Sequence, residues 1–145
     1  MKSLRTCLTL LLTVTLLLSL TSCGWFQKQG KLRGEATQLL DALIADDADA
    51  FYEKIKNACT EEEFLQVYPK FRSFVEGVST YELKLNYTSS KIESGVTIRH
   101  EEYFVETEAG RFGLIIATRS DVEGISTFRL LNPDGETPST NISAG

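Results

Sequence analysis

The chain has 145 residues, with 15 Lys and Arg against 20 Asp and Glu and a single His, for a formal net charge of −5. That length supports one domain and not two, and the acidic balance excludes the phosphate-neutralising chemistry of nucleic-acid binding. One His and three Cys are too few for a zinc or transition-metal site of ordinary type.

Lys2 and Arg5 make a short basic start, and Leu8 to Leu20 follows as an uncharged, leucine-rich run of 13 residues. That run falls short of the roughly 20 residues a bilayer core requires. With the small residues Thr21 and Ser22 behind it, it has the layout of a secretory signal peptide. Leu20-Thr21-Ser22-Cys23 resembles the lipobox of bacterial lipoproteins. The resemblance implies that residues 1–22 are a lipoprotein signal peptide and that Cys23 is diacylated and becomes the first mature residue. It also implies that the chain is held, extracytoplasmically, to the bacterial cell membrane or outer membrane. One acyl chain anchors only marginally and two or more anchor stably. The motif needs cysteine because a thiol forms the thioether to the lipid. The alternative is an ordinary signal peptide with a Cys near its cleavage site.

Residues 23–33 read as a lipidated tether. Lys28, Lys31 and Arg33 lie there with no acid, beside Trp25 and Phe26, a composition that suits anionic headgroups and equally a plain linker. Cys7 leaves with the signal segment and Cys23 takes the lipid, so Cys59 stands alone and no intramolecular disulfide is expected. The fold must be held by its core, with Cys59 as a small buried hydrophobe on a helix face.

The domain is expected over 34–132. Ala36, Leu39, Leu40, Leu43 and Ile44 repeat at helical spacing. Asp46-Asp47-Ala48-Asp49 breaks that helix, and Asp47 is the predicted N-cap of a second one carrying Phe51, Ile55 and Cys59. Thr60-Glu61-Glu62-Glu63 is a capping box for a third helix with Phe64, Val67, Tyr68, Phe71, Phe74 and Val75. Pro69 should kink that helix or start a new turn, and Gly77 should end it.

The period then changes to two. Tyr81, Leu83, Leu85 and Tyr87 alternate with polar residues as a half-wet strand. Residues 89–95 read as a loop and 96–107 as a long second strand. Residues 111–118 and 125–131 read as two more strands, after turns at Glu108-Ala109-Gly110 and 121–124. Val96 and Ile98 fall on one parity of the second strand, and Tyr103 and Val105 on the other. A bulge near His100-Glu101-Glu102 would reconcile them and bend the sheet. Residues 133–145 are rich in turn formers with almost nothing to bury, and are expected to be a disordered tail.

The expected class is therefore α+β, with N-terminal helices packed on a bent four-stranded antiparallel sheet. The stretch from Leu39 to Phe51, helix, acidic break, helix, resembles the opening of the nuclear-transport-factor-2-like (cystatin-like) superfamily. The resemblance covers 34–132 in its order of elements and implies a cone-shaped fold. It also implies where an enzyme of that superfamily would place its chemistry, on an Asp, His or Tyr inside the cone.

His100, with Glu102 two residues on, is the one acid–base pair on offer. The run Arg99-His100-Glu101-Glu102 reads equally as a solvated strand edge. Tyr81, Tyr87 and Tyr103 could donate hydrogen bonds in a pocket or simply pack. Asp47 and Asp49 begin like a calcium loop, but Phe51 occupies the fifth position and no glycine follows. The chain lacks a phosphate-binding glycine loop, a nucleophile elbow and the Gln-x-Val-x-Gly loop by which cystatins block proteases. The resulting expectation has no catalytic residue, no metal and no cofactor. Cys23 is the lipidation site, and the domain is a non-enzymatic binding module of the cell envelope. Its expected partners are membrane lipid through Cys23 and an envelope protein or peptide, and not nucleic acid. The alternative is a small isomerase- or dehydratase-type enzyme using His100 and Glu102 in the cone pocket.

Overall fold

Three apolar helical stripes and a run of alternating strands must share one core, and a two-layer arrangement lets every stripe face the same sheet. The computed structural model describes residues 30–132 and 140–144, within one compact unit from Lys31 onward. Helices α1 (Arg33–Ile44), α2 (Ala48–Ile55) and α3 (Glu61–Phe74) precede strands β1 (Tyr81–Glu93), β2 (Val96–Thr107), β3 (Gly110–Arg119), β4 (Thr127–Leu131) and β5 (Thr140–Ser143). All neighbouring strands are antiparallel, in the simple order β1-β2-β3-β4-β5. The class is α+β, as expected. Cys23, Trp25, Phe26, Lys28, the whole signal segment and residues 133–139 lie outside the described residues.

The helices obey their sequence signals. Asp47 accepts from the Ala50 amide at 3.0 Å as N-cap of α2. Thr60 and Glu63 close a reciprocal capping box on α3. The break after α1 is held from outside: Asp46 sits at φ +56, a conformation Asp tolerates better than most residues. The Arg72 guanidinium caps the end of α1, donating to the carbonyls of Leu43 and Ile44 and pairing with Asp46 at 3.1 Å. Between the layers, Phe51 touches Phe64, Tyr68, Phe71 and Phe128 with ring centroids 5.2–6.0 Å apart. Helix α2 is thereby locked to α3 and to β4 in one aromatic knot.

Five expectations are corrected. Helix α3 runs from Glu61 to Phe74 with Pro69 inside it, so of the two expected outcomes the proline does not start a new helix. Pro69 and Leu65 are both exposed, so the Leu65 carbonyl that the proline leaves without a helical donor is on the wet side. Cys59 lies beyond the end of α2 in a turn, half-buried rather than on a helix face. Residues 89–93 are strand, and a two-residue turn at Ser94-Gly95 joins β1 to β2. Both turn residues have positive φ, 50° and 80°, as a tight hairpin matching strand twist demands. Fourth, the bulge is in β1 and not in β2. Register runs unbroken along β2–β3, whereas Asn86 is an extra residue between the pairs Leu85–Tyr103 and Tyr87–Glu102.

Tyr87 is thereby turned off the face that holds Tyr81, Leu83 and Leu85. The two parities of β2 are simply its two faces. Glu101, Tyr103 and Val105 are buried towards the helices, and Ile98, His100, Glu102 and Phe104 occupy the other side, half-exposed.

The fifth correction concerns the C-terminal segment. Residues 140–143 form the edge strand β5 on β4, and Ile142 is 4% exposed, inside the core. The sheet has five strands, and the folded unit reaches past residue 132.

Candidate functional site

The chain enters the domain at a buried carboxylate. Glu101 is 1% exposed and sits on the helix-facing side of β2, where burying a charge is costly unless it is fully hydrogen-bonded. Three donors converge on it. The amide of Lys31 donates to Oε1 at 2.7 Å, that of Leu32 to Oε2 at 2.9 Å, and the Tyr103 hydroxyl to Oε2 at 2.5 Å. Leu32 is the N-cap residue of α1 and offers no capping side chain. Glu101 therefore supplies, from a strand almost 70 positions along the chain, the negative charge that the positive end of α1 requires. Burial, and then the bond to Glu101, hold the Tyr103 phenol well above its ordinary range, so it stays a donor. Nearby, the Arg33 guanidinium donates to the Leu83 carbonyl at 2.8 Å and ties the first turn of α1 to β1. Sequence reasoning set Glu101 aside as part of a bulge. Its signal was the shared parity with Tyr103 and Val105, visible once β2 is read straight through.

The other residues singled out from sequence fall in different places. His100 Nε2 lies 3.0 Å from Glu102 Oε1, with both side chains about one-third exposed. The Tyr87 ring, itself 52% exposed, meets the imidazole edge-on at 6.1 Å. This trio forms as the spacing implied, but on the sheet face turned away from the helices. The placement inside a cone between helices and sheet is corrected. The strand parity that buries Glu101 necessarily turns both of its neighbours out.

Tyr81 donates to Asp41 Oδ1 at 2.7 Å and to the Thr37 carbonyl at 3.3 Å, binding β1 to α1. Tyr68 donates to Asp46 Oδ1 at 3.2 Å, and burial pushes its phenol up to about 12. Asp47 serves as a helix cap, and Asp49 lies exposed in the first turn of α2. Burial raises the Cys59 thiol, with the Glu63 charge adding to it, which keeps it protonated and poorly nucleophilic. Among the described residues, no three His, Cys, Asp or Glu side chains come together to hold a metal. No described helix is long and apolar enough to cross a membrane.

Beside the Glu101 clasp opens a cleft of about 590 Å³. Its walls are the start of α1, the end of α2, one end of the β2–β3 pair and the loop leading into β4. That loop is fastened to the end of α2 and to the turn after it: the Ile125 amide donates to the Lys54 carbonyl at 3.3 Å, and Asn57 Nδ2 to the Glu123 carbonyl at 3.0 Å. Gly124 makes the approach feasible. It sits at φ +82, and a Cβ there would stand 3.1 Å from the Lys54 carbonyl. Lys54 pairs with Glu35 at 3.1 Å and Lys56 with Glu53 at 2.8 Å, so much of the rim charge is already neutralised.

No protein-family model and no curated protein sequence matches the chain.

Proposed function

We propose that this chain is a bacterial lipoprotein, anchored through diacylated Cys23 on the extracytoplasmic side of a membrane, whose domain binds an envelope component without catalysing a reaction. We read that domain as a member of the nuclear-transport-factor-2-like superfamily. The order of three helices and then antiparallel strands, with a bulge in the long first hairpin of the kind that bends sheets, favours that membership.

The observation that carries the reading is the Glu101 clasp. A buried carboxylate that seizes the Lys31 and Leu32 amides sets where the chain leaves the domain towards Cys23. The eight residues from Cys23 to Gly30 span roughly 28 Å at full extension. A domain on so short a lead stays close to the bilayer surface, and its clasped end stays nearest. Against an enzymatic role stands the position of His100 and Glu102 on the sheet face turned from the helices, each about one-third exposed, with no described residue closing a water-free pocket over the pair.

Detergent partitioning of the wild-type chain and of Cys23→Ser tests the anchor. The wild type is expected in the detergent phase with a lipid-sized mass increment. The serine variant is expected as an unlipidated precursor or a released protein, because a hydroxyl forms no thioether. Equal partitioning of the two, with no lipid mass on the wild type, overturns the reading.

A further inference from the structure

The cleft beside the clasp combines hydrogen-bonded walls with charge that its internal pairs leave over. Its four cations are Lys31, Lys54, Lys56 and Arg99. Lys54 and Lys56 are spent on Glu35 and Glu53. Arg99 projects from β2 opposite Thr118 of β3. It is half-buried and makes no ion pair or side-chain hydrogen bond among the described residues.

The Arg99 stem is covered while its guanidinium nitrogens remain reachable by solvent, so the donor fork is available to a ligand entering the cleft. Lys31 also lines the cleft. Its amide is held by Glu101, so its backbone position is defined, and its ammonium forms no ion pair among the described residues. Of the lining carboxylates, Glu35 and Glu53 are paired and Glu123 forms no ion pair among the described residues. Once the internal pairs are removed, two positive charges face one negative, in a domain that is acidic overall.

We propose that this cleft binds a phosphate-bearing anion, with Arg99 as the bidentate anchor, Lys31 as a second point charge and the Thr118 hydroxyl as a further donor. A guanidinium fork and an ammonium suit an oxyanion that presents several acceptor oxygens. The proposal names the ligand class of the binding domain. It rests on the reading that the domain binds, and on the membrane anchor only for the source of the phosphate. That source is a phospholipid headgroup if the clasped end lies at a membrane, and free phosphate otherwise.

The test titrates the purified full-length chain by calorimetry with inorganic phosphate and, separately, with glycerophosphoglycerol, the deacylated headgroup of an anionic lipid. Saturable binding is expected. Tighter binding of glycerophosphoglycerol identifies a lipid source, and tighter binding of phosphate a free ion. Arg99→Gln should weaken either ligand by about tenfold or more, the loss that accompanies one charge-assisted hydrogen bond. It should leave the melting temperature unchanged, because Arg99 holds nothing in the fold together. Lys31→Gln should weaken binding less, and Glu123→Gln should tighten it by removing the opposing charge.

Failure of both anions to bind overturns the proposal, as does Arg99→Gln binding like the wild type, or weaker binding by Glu123→Gln. The same titration on Cys23→Ser keeps the two readings apart. A chain that binds phosphate yet never partitions into detergent retains the cleft and loses the anchor, and the converse result loses the cleft alone.

Discussion

Glu101 ties the entry of α1 to the middle of β2. Its two oxygens serve two amides and a phenol. Glu101→Gln keeps the shape but turns one acceptor into an N–H aimed at N–H donors. The expected cost is about 1.5–3 kcal/mol in the urea-unfolding free energy, the worth of a hydrogen bond to a charged group and the penalty for an unsatisfied buried one. Tyr103→Phe removes only one of the three donors and should cost about 1 kcal/mol.

A second carboxylate reports on pH. Glu108 accepts from the amide and hydroxyl of Ser79 at 2.6 and 2.8 Å and from Thr80. The backbone bond from Ser79 leads in pulling it down from 4.5 to about 2. A depressed carboxyl contributes stability that is fully present above its unfolded value and is lost as pH falls through its folded one. Glu108→Gln should therefore be less stable than the wild type at neutral pH. Its stability should also decline less steeply between pH 4.5 and pH 2, as read by denaturant midpoints across that window.

Helix α3 shows how element-level signals combine. Its start is marked by a capping box whose hydrogen bonds all form, and Thr60→Ala should cost about 1 kcal/mol. Its middle carries a local conflict, since Pro69 denies the Leu65 carbonyl a donor. The packing of Phe64, Tyr68 and Phe71 on the inner face holds the helix together across that gap. Pro69→Ala should stabilise the domain by about 1–2 kcal/mol, because the recovered helical bond and propensity outweigh the added freedom of the unfolded chain. Both variants are read by thermal unfolding, where their melting temperatures should move in opposite directions. The β1–β2 hairpin follows the opposite logic. Its distal half is polar and exposed, so strand periodicity there carries no burial signal, and the Ser94-Gly95 turn is what makes the pairing.

For the whole molecule, the C-terminal strand completes both the sheet edge and the core. Ile142 is buried with Phe128 and Leu130, and β5 pairs along β4 from Thr127 to Leu130. A stop codon after Asn132 should lower unfolding stability by about 2 kcal/mol for the isoleucine alone. It should also leave β4 as a bare apolar edge prone to self-association. Urea midpoints and light scattering measure the two effects. An unchanged midpoint contradicts a structural role for β5.

The three helices, the N-caps Asp47 and Thr60, and the strands with a buried face were legible because each is encoded locally, by period 3.6 or period 2 and by side chains that reach their own backbone; the exposed residues 89–93 carried no such signal. The candidate pair His100 and Glu102 was legible for the same reason, since two residues apart on a strand share a face. Only the tertiary structure decided which face that is. The choice depends on the register against β1 and β3, and one extra residue at Asn86 changes it for the far half of β1. Tertiary structure also converted Glu101 from an apparent surface charge into a buried clasp, because its partners Lys31 and Leu32 lie about 70 residues away. It brought residues 140–143 into the sheet for a similar reason, as a single buried side chain, Ile142, makes no pattern that sequence alone can reveal.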